Sequence, residues 1–307
     1  MLGSSLYLDF TETGVRIVKG SAGRNGFRID GYADLKWANP LGNSLDDDRN
    51  REFGRQLLSL LLAEKLKARR ASILISREGL ITRTTRVPAL DGKVLHEFIH
   101  ASIHEFLPVD LNEYAFDYRI IRSINGDGDG QSYYDLLLGA VPRYMLEQVM
   151  QIMEVTDLYL ESVDIRPNAL LRLFAGLHHN DVAVLDVNAN GSHIAILEDR
   201  NLLLYADIPF FLQTDEADWQ DFSLLLEETR GYLNFFAARH QGQQVEAIYV
   251  VGDLALKPHL ADVFSTELGL PVQINLDEFL KFRLGPQVTG WAAAKAAANL
   301  GMMLRKG

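Results

Sequence analysis

The chain has 307 residues, with 48% hydrophobic and 23% charged residues, values typical of a globular protein with a sizeable core. Its net charge of -11 argues against a general nucleic-acid or anionic-lipid binder, because phosphate binding needs a concentrated positive surface. The chain has no cysteine, so disulfides and thiolate zinc sites are excluded. No signal peptide or apolar run of about 18 residues is found, so we expect a soluble cytoplasmic protein.

The opening segment predicts three strands, a helix and a buried strand. Apolar alternation runs through SLYLDF, GVRIVKG and FRIDGYADLKW, which are separated by polar turns. An acidic loop suited to a helix start precedes REFGRQLLSLLLAEKLKARR, whose apolar residues have helical spacing and whose last turn is basic. ASILIS then predicts a buried strand.

The middle of the chain predicts a helix, a hairpin and a second helix, inserted into a larger unit. The first helix should begin after Pro88 and end before Pro108. Strands are expected in EYAFDYRIIRS and SYYDLLLGAVP, and the second helix in RYMLEQVMQIMEVT. LYLESVDI and RPNALLRLF follow as a strand and a helix.

The second half repeats the opening pattern of strand, polar turn and strand. Residues 6–19 and 182–197 share apolar alternation, an aspartate and a glycine five residues after the aspartate. The pairs are Asp9 with Gly14, and Asp186 with Gly191. Such an internal repeat indicates two related halves. A long helix, the buried strand AIYVVGD, a helix from about Pro258 and a last helix in TGWAAAKAAANLGMMLRKG complete the prediction.

This order of elements resembles the fold of actin, hexokinase and the sugar kinases, in which two similar halves each present a hairpin turn to nucleotide phosphates. The corresponding turns would be DFTETG and DVNANG, with IYVVGDLALKPHL on the adenosine side. Two segments resemble the type IV pilus assembly protein family PilM. One is VPALDGKVLHEFIHASIHEFLPVDLNEYAFDY, which carries Asp117 and Tyr118 in its strand, and the other runs from LLLGAVP to VDI.

The resemblance implies an α/β, actin-like (ribonuclease H-like) fold of two lobes, with a helix-hairpin-helix subdomain inserted in the first lobe. The implied divisions are 1–86 for the first lobe, 87–160 for the insertion, 161–180 for the return to the first lobe, 181–288 for the second lobe and 289–307 for a closing helix.

The resemblance also implies a nucleotide site, with ATP and magnesium as its cofactors. The implied residues are Asp9, Thr11, Thr13, Arg16, Asp186, Asn188, Glu228, Arg230 and Gly252. Of these, Asp9 and Asp186 would hold magnesium through water, and their turns would face each other across a cleft. The alternative is that both aspartates only cap turns, and that Glu228 and Arg230 lie on a solvated helix face.

The implied nucleotide motifs depart from the family pattern. Thr11 and Asn188 stand where glycines are usual, and Glu12 adds a negative charge beside the expected phosphates. Of the glycine-rich adenosine turn, only Gly252 is present. We therefore expect weak or absent hydrolysis, with ATP retained as a conformational ligand or lost.

A partner is implied as well: the short cytoplasmic N-terminal tail of PilN, a bitopic inner-membrane protein. It would bind in a groove where the insertion meets the first half. The candidate groove residues are Phe98, Phe106, Leu107, Phe116 and Tyr118, each of which could instead be plain core. The expected role is a cytoplasmic adaptor of a type IV pilus or type II secretion-like assembly, which contacts no nucleic acid and reaches the membrane only through its partner.

Two other functions remain open at this point: an active Mg-ATPase that uses Asp9 and Asp186, and a cytoskeletal protein like FtsA or MreB.

Two sequence motifs that could suggest metal sites are less favoured. His96, His100 and His104 share a helix face but span about 12 Å, so one ion could take only two of them. The NGDGDG at 125–130 begins like an EF-hand, but its twelfth position is Leu136 rather than glutamate.

Overall fold

A computed structural model of the chain describes residues 4–11, 13–126, 130–177, 179–188, 190–211 and 222–305. The chain forms two compact units. Unit 1 comprises Met1–Lys19 and Ala33–Ile165, and unit 2 comprises Gly20–Tyr32 and Arg166–Gly307. No helix among the described residues is long and apolar enough to cross a membrane.

Strands and helices alternate along much of the chain. The strands are β1 (Ser5–Phe10), β2 (Gly14–Gly23), β3 (Gly26–Lys36), β4 (Arg70–Ile75), β5 (Ile81–Pro88), β6 (Tyr114–Ile124), β7 (Tyr133–Pro142), β8 (Tyr159–Ile165), β9 (Val182–Asp186), β10 (Asn190–Glu198), β11 (Asn201–Phe211), β12 (Ala247–Val251), β13 (Val272–Gln273) and β14 (Phe282–Leu284). The helices are α1 (Asp47–Ala63), α2 (Gly92–Phe106), α3 (Arg143–Glu154), α4 (Arg166–Phe174), α5 (Ser223–Arg239), α6 (Leu260–Leu268) and α7 (Ala297–Met303).

Two sheets share an order of five strands, to which the first sheet adds β14 beside β3. In the first, β3, β2 and β1 are neighbours, and β4 and β8 continue the sheet as parallel strands. In the second, β11, β10 and β9 are neighbours, and β12 and β13 continue it in parallel. A helix joins the third strand to the fourth in each case, α1 in the first sheet and α5 in the second. The topology therefore confirms the prediction that the two halves of the chain repeat the same strand pattern.

The helix α1 begins as predicted but ends earlier. The side chain of Asp46 accepts a hydrogen bond from the Arg49 N–H at 3.0 Å, as an N-cap residue does. The helix ends at Ala63, because Lys65 adopts a left-handed φ of 54° and the Leu66 N–H turns back to the Leu61 carbonyl at 2.8 Å. The basic residues expected in the last turn therefore follow the helix.

The inserted region contains a strand that the sequence did not predict. This strand, β5, pairs antiparallel with β7, so the sheet has three strands in the order β5-β7-β6. Only Val87 of β5 is buried, which explains why the segment lacks an apolar signal. The helix α2 covers one face of this sheet, whereas buried residues of α3 belong to the core of the first sheet. The division at residue 87 stays a prediction.

The last helix, α7, is shorter than predicted, and its small residues pack closely against α4. All seven of its residues are buried. A Cβ on Gly301 would lie 1.9 Å from the Ala169 carbonyl oxygen, so only glycine permits this approach to α4. The close packing holds α4 firmly within unit 2.

Candidate functional site

The first strand-end carboxylate belongs to Asp9, the penultimate residue of β1, which is buried. The Ser76 hydroxyl donates to its Oδ1 at 2.5 Å. Asp9 lies opposite Leu74 in the parallel pairing of β1 with β4, so both strands end at the same edge of the sheet. Ser76 was missed by sequence reasoning, although a polar residue at the end of a neighbouring strand was a usable signal.

The first predicted phosphate turn makes its contacts within unit 1. The Thr11 N–H and hydroxyl both donate to the Gly14 carbonyl, at 3.0 and 3.2 Å. Thr13 is exposed, and its carbonyl accepts from the Trp37 N–H at 2.8 Å. Arg16 Nε donates to Asp34 Oδ1 at 2.8 Å. Glu12 lies outside the described residues. These residues thus contact the turn itself and β3, and their role toward phosphate stays a prediction.

The second strand-end carboxylate, Asp186 at the end of β9, pairs with Arg166 at the start of α4. Two of the three guanidinium nitrogens donate to it: Nη2 to Oδ1 at 2.8 Å, and Nε to Oδ2. The Asn188 amide donates to the same Oδ1 at 3.0 Å. Burial acts to raise the pKa of Asp186, but the Arg166 charge and these hydrogen bonds outweigh it and hold the pKa below its ordinary value.

The turn after β12 packs directly on this cluster. Gly252 has a φ of +99°, and a Cβ there would lie 2.5 Å from the Val187 carbonyl oxygen and 2.7 Å from Asp186 Oδ1. The Asp253 N–H donates to Asn188 Oδ1 at 3.0 Å. The structure thus brings together three predicted residues, Asp186, Asn188 and Gly252. It adds Arg166, which no local sequence pattern singled out.

Glu228 and Arg230 lie on α5. Glu228 is half-buried. Burial of the Tyr232 hydroxyl raises its pKa, and the nearby Glu228 charge raises it further. Arg230 is exposed, and its Nη2 donates to the Glu267 carbonyl at 3.0 Å. That carbonyl lies in the last turn of α6, where a cation is favoured by the helix dipole. Arg230 therefore stabilises the packing of α5 against the end of α6.

The predicted magnesium ligand does not fit at Asp186. Magnesium keeps several of its waters when it binds a carboxylate. Here both carboxylate oxygens accept from a guanidinium, and the Asp186 side chain is 1% exposed. A cation of the chain itself already neutralises this carboxylate. That the turns of Asp9 and Asp186 face each other stays a prediction.

The predicted groove residues on β6 share one face of their sheet. Phe116 lies opposite Ala140 and Tyr118 opposite Leu138, so both side chains point to the face that α2 covers. Both are partly buried. The opposite face of β7 includes Gly139, whose Cα approaches the Ile165 side chain of β8. Phe116 and Tyr118 therefore border α2.

The other groove candidates lie on or after α2. The rings of Phe98 and Phe106 are 6.4 Å apart, and both are partly buried against the same core. Leu107 is fully buried, so it would support a groove from below. The His100 ring lies 4.7 Å from Phe116 and 4.2 Å from the His96 ring. The two histidines thus pack beside the β6 aromatics.

The repeated strand order, with an aspartate at the end of each central strand, defines an actin-like fold. The solved PilM-PilN type IV pilus biogenesis complex matches with a TM-score of 0.77 at 18% identity, over 98% of both chains. EutJ from Carboxydothermus hydrogenoformans matches with a TM-score of 0.52 at 14% identity, over 99% of this chain and 90% of that one. A Bacteroides thetaiotaomicron protein with an actin-like ATPase fold matches with 0.50 at 11% identity, over 99% and 96%.

The family follows from the sequence itself. The sequence profile of the type IV pilus assembly protein PilM matches residues 7–210, more than half of the chain. The chain therefore belongs to the PilM family, and the predicted family and fold class are both confirmed. No match was found among curated proteins.

Proposed function

We propose that this chain is an adaptor of a type IV pilus or type II secretion-like assembly, which binds the cytoplasmic tail of a PilN-like inner-membrane protein. The observation that carries the proposal is the likeness, over 98% of both chains, to a structure of PilM in complex with PilN. Membership of the PilM family supports it independently of the fold. The adaptor acts at the inner face of the cytoplasmic membrane through its partner.

The docking surface is the face of the insertion where β6 meets α2. In the order β5-β7-β6, the eleven-residue β6 is an edge strand, so an extended peptide can add to it through main-chain hydrogen bonds. Phe116 and Tyr118 offer apolar contacts beside this edge, and Ile120, with 42% of its area exposed, continues them. An apolar, extended tail segment fits this surface.

Nucleotide hydrolysis is weak or absent in the proposed adaptor. The support for this is the second turn, where the carboxylate expected to hold magnesium is bound by Arg166 and the Asn188 amide is used inside the turn. Phosphoryl transfer depends on metal ions that neutralise charge on the phosphates. A turn whose carboxylate does not bind magnesium cannot supply the metal ion that phosphoryl transfer needs.

Binding of the tail is tested by fluorescence anisotropy, with a labelled peptide of the cytoplasmic N-terminal tail of a PilN-like protein from the same organism. Ile120→Asp should weaken binding about tenfold, or about 1.4 kcal/mol, because it places a charge among the apolar contacts. The matched control is Leu224→Asp on α5, since Leu224 is also 42% exposed. It should bind like the wild type. No binding by the wild type would refute the adaptor function, and equal binding by both variants would refute the docking surface.

The nucleotide proposal has its own measurement. With ATP and magnesium the chain should release little or no phosphate. The melting temperature reports separately whether ATP binds, since a ligand at 100 times its Kd would stabilise the folded chain by about 2.7 kcal/mol. A clear upward shift, together with phosphate release, would favour an active ATPase over the adaptor.

A further inference from the structure

We propose that Arg166 is the resident cation of the second strand-end turn: it takes the place that the fold reserves for a divalent ion, and Asp186 is a structural group. The assignment goes beyond the adaptor function and does not depend on partner binding. It rests on the disagreement between the ligand set implied by the fold and the contacts that Asp186 makes.

The geometry is that of a bidentate pair. The guanidinium fork donates one hydrogen bond to each carboxylate oxygen, and the side chains of Arg166 and Asp186 are only 5% and 1% exposed. A planar fork matches a carboxylate better than any other cationic side chain does. A buried carboxylate that is neutralised in this way has no remaining charge with which to attract a metal ion.

The Asp186 carboxylate that Arg166 neutralises lies where two turns meet. The Asn188 amide connects the Asp186 carboxylate, at 3.0 Å, to the Asp253 N–H, also at 3.0 Å. The Leu254 N–H adds a 3.0 Å bond to the Val187 carbonyl. The turn after β9 and the turn after β12 are thus held together around a carboxylate that Arg166 neutralises.

The position of Arg166 is set by α4. Arg166 is the first residue of this helix, and the helix is held by α7 through the close approach of Gly301 to Ala169. Arg172 Nε adds a hydrogen bond to the Gly301 carbonyl at 3.1 Å. Because the helix is anchored at these points, the guanidinium is placed against Asp186 without depending on a ligand.

The experiment measures melting temperature with and without Mn²⁺, used as the divalent probe. The wild type should show no Mn²⁺ dependence. Arg166→Ala should melt lower, because Asp186 loses its counter-ion, and should regain about 3 °C or more with Mn²⁺. The double variant Arg166→Ala with Asp186→Asn is the matched control, and it should not respond to Mn²⁺.

Two results would overturn the assignment. One is Mn²⁺ stabilisation of the wild type that Asp186→Asn abolishes, since Asp186 would then bind metal with Arg166 in place. The other is a response of Arg166→Ala no larger than that of the double variant. If Arg166→Ala does not fold, electron paramagnetic resonance is used to compare Mn²⁺ binding by the wild type and by Asp186→Asn. Equal binding supports the assignment. Weaker binding by Asp186→Asn overturns it. Tail binding is measured separately, so failure here leaves the adaptor function untouched.

Discussion

Gly252 and Asp186 approach each other so closely that a Cβ on the glycine would lie 2.7 Å from the carboxylate Oδ1. The same Cβ would lie 2.9 Å from Asn188 Oδ1, and the φ of +99° at Gly252 is one that other residues rarely adopt. This glycine therefore permits the close packing of two turns, and the place beside adenosine that the family resemblance implies for it stays a prediction.

Gly252→Ala should destabilise the chain by about 3 kcal/mol, because it adds both a backbone strain and a steric clash. Thermal melting monitored by circular dichroism measures the loss. Gly231→Ala is the matched control. Gly231 lies in α5, and apart from the backbone of its own helix no atom of the described residues lies within 4 Å of a Cβ built on it, so the change should stabilise by about 0.5–1 kcal/mol. A Gly252→Ala variant as stable as the wild type would contradict the packing described.

A histidine at the end of α5 predicts a dependence of stability on pH. His240 Nδ1 lies 2.8 Å from the Phe236 carbonyl, and Nε2 lies 2.6 Å from Glu198 Oε1. The hydrogen bond to Phe236, and then the one to Glu198, raise the pKa of His240. The folded state therefore holds the proton more tightly than the unfolded state does.

The sign of the effect follows from this linkage. The contribution of His240 is fully present below its ordinary pKa of about 6.5 and is lost as pH rises through the raised folded value. The difference in melting temperature between the wild type and His240→Gln should thus be largest in mild acid and should shrink toward alkaline pH. Glu198→Gln should remove part of the same dependence. A difference that grows with pH would show that the imidazole is not held in its charged form.

The end of α1 offers a stabilising substitution. Lys65 holds a φ of 54°, a conformation that favours glycine at this position after a helix. Lys65→Gly should raise stability by about 0.5–1 kcal/mol, measured by thermal melting. Lys67→Gly, two residues later and without a positive φ, should give no gain. A loss of stability in Lys65→Gly would mean that Lys65 is not strained.

A buried hydroxyl in β12 gives a further test. Tyr249 is 0% exposed, its ring lies 5.1 Å from Phe174 and 5.5 Å from Phe279, and its hydroxyl has no hydrogen-bond partner within the described part of the chain. Tyr249→Phe should be neutral or stabilising by up to about 1 kcal/mol, because it removes a polar group that burial penalises. Tyr249→Leu, which leaves a cavity, should cost about 2 kcal/mol. A large loss in Tyr249→Phe would reveal a partner for the hydroxyl.

Strands that carry several buried apolar residues of their own could be predicted from sequence, whereas β5 could not. The pattern in β1 and β9 is local, since each carries buried residues and ends near an aspartate. In β5 only Val87 is buried, so its strand conformation depends on pairing with β7 rather than on an apolar face of its own. Phe116 and Tyr118 could be chosen as surface candidates, but the register with β7 decided that they border α2.

The sequence by itself determined the family, the two repeated strand patterns and the carboxylates at their ends, because alternation, turn residues and element order are properties of short segments. Only the tertiary structure decided what those carboxylates do. Asp9 accepts from Ser76 of a neighbouring strand, and Asp186 is neutralised by Arg166 from the start of α4. Hydrogen bonds and ion pairs join side chains that the fold brings together, and no local pattern specifies which residue will supply the partner.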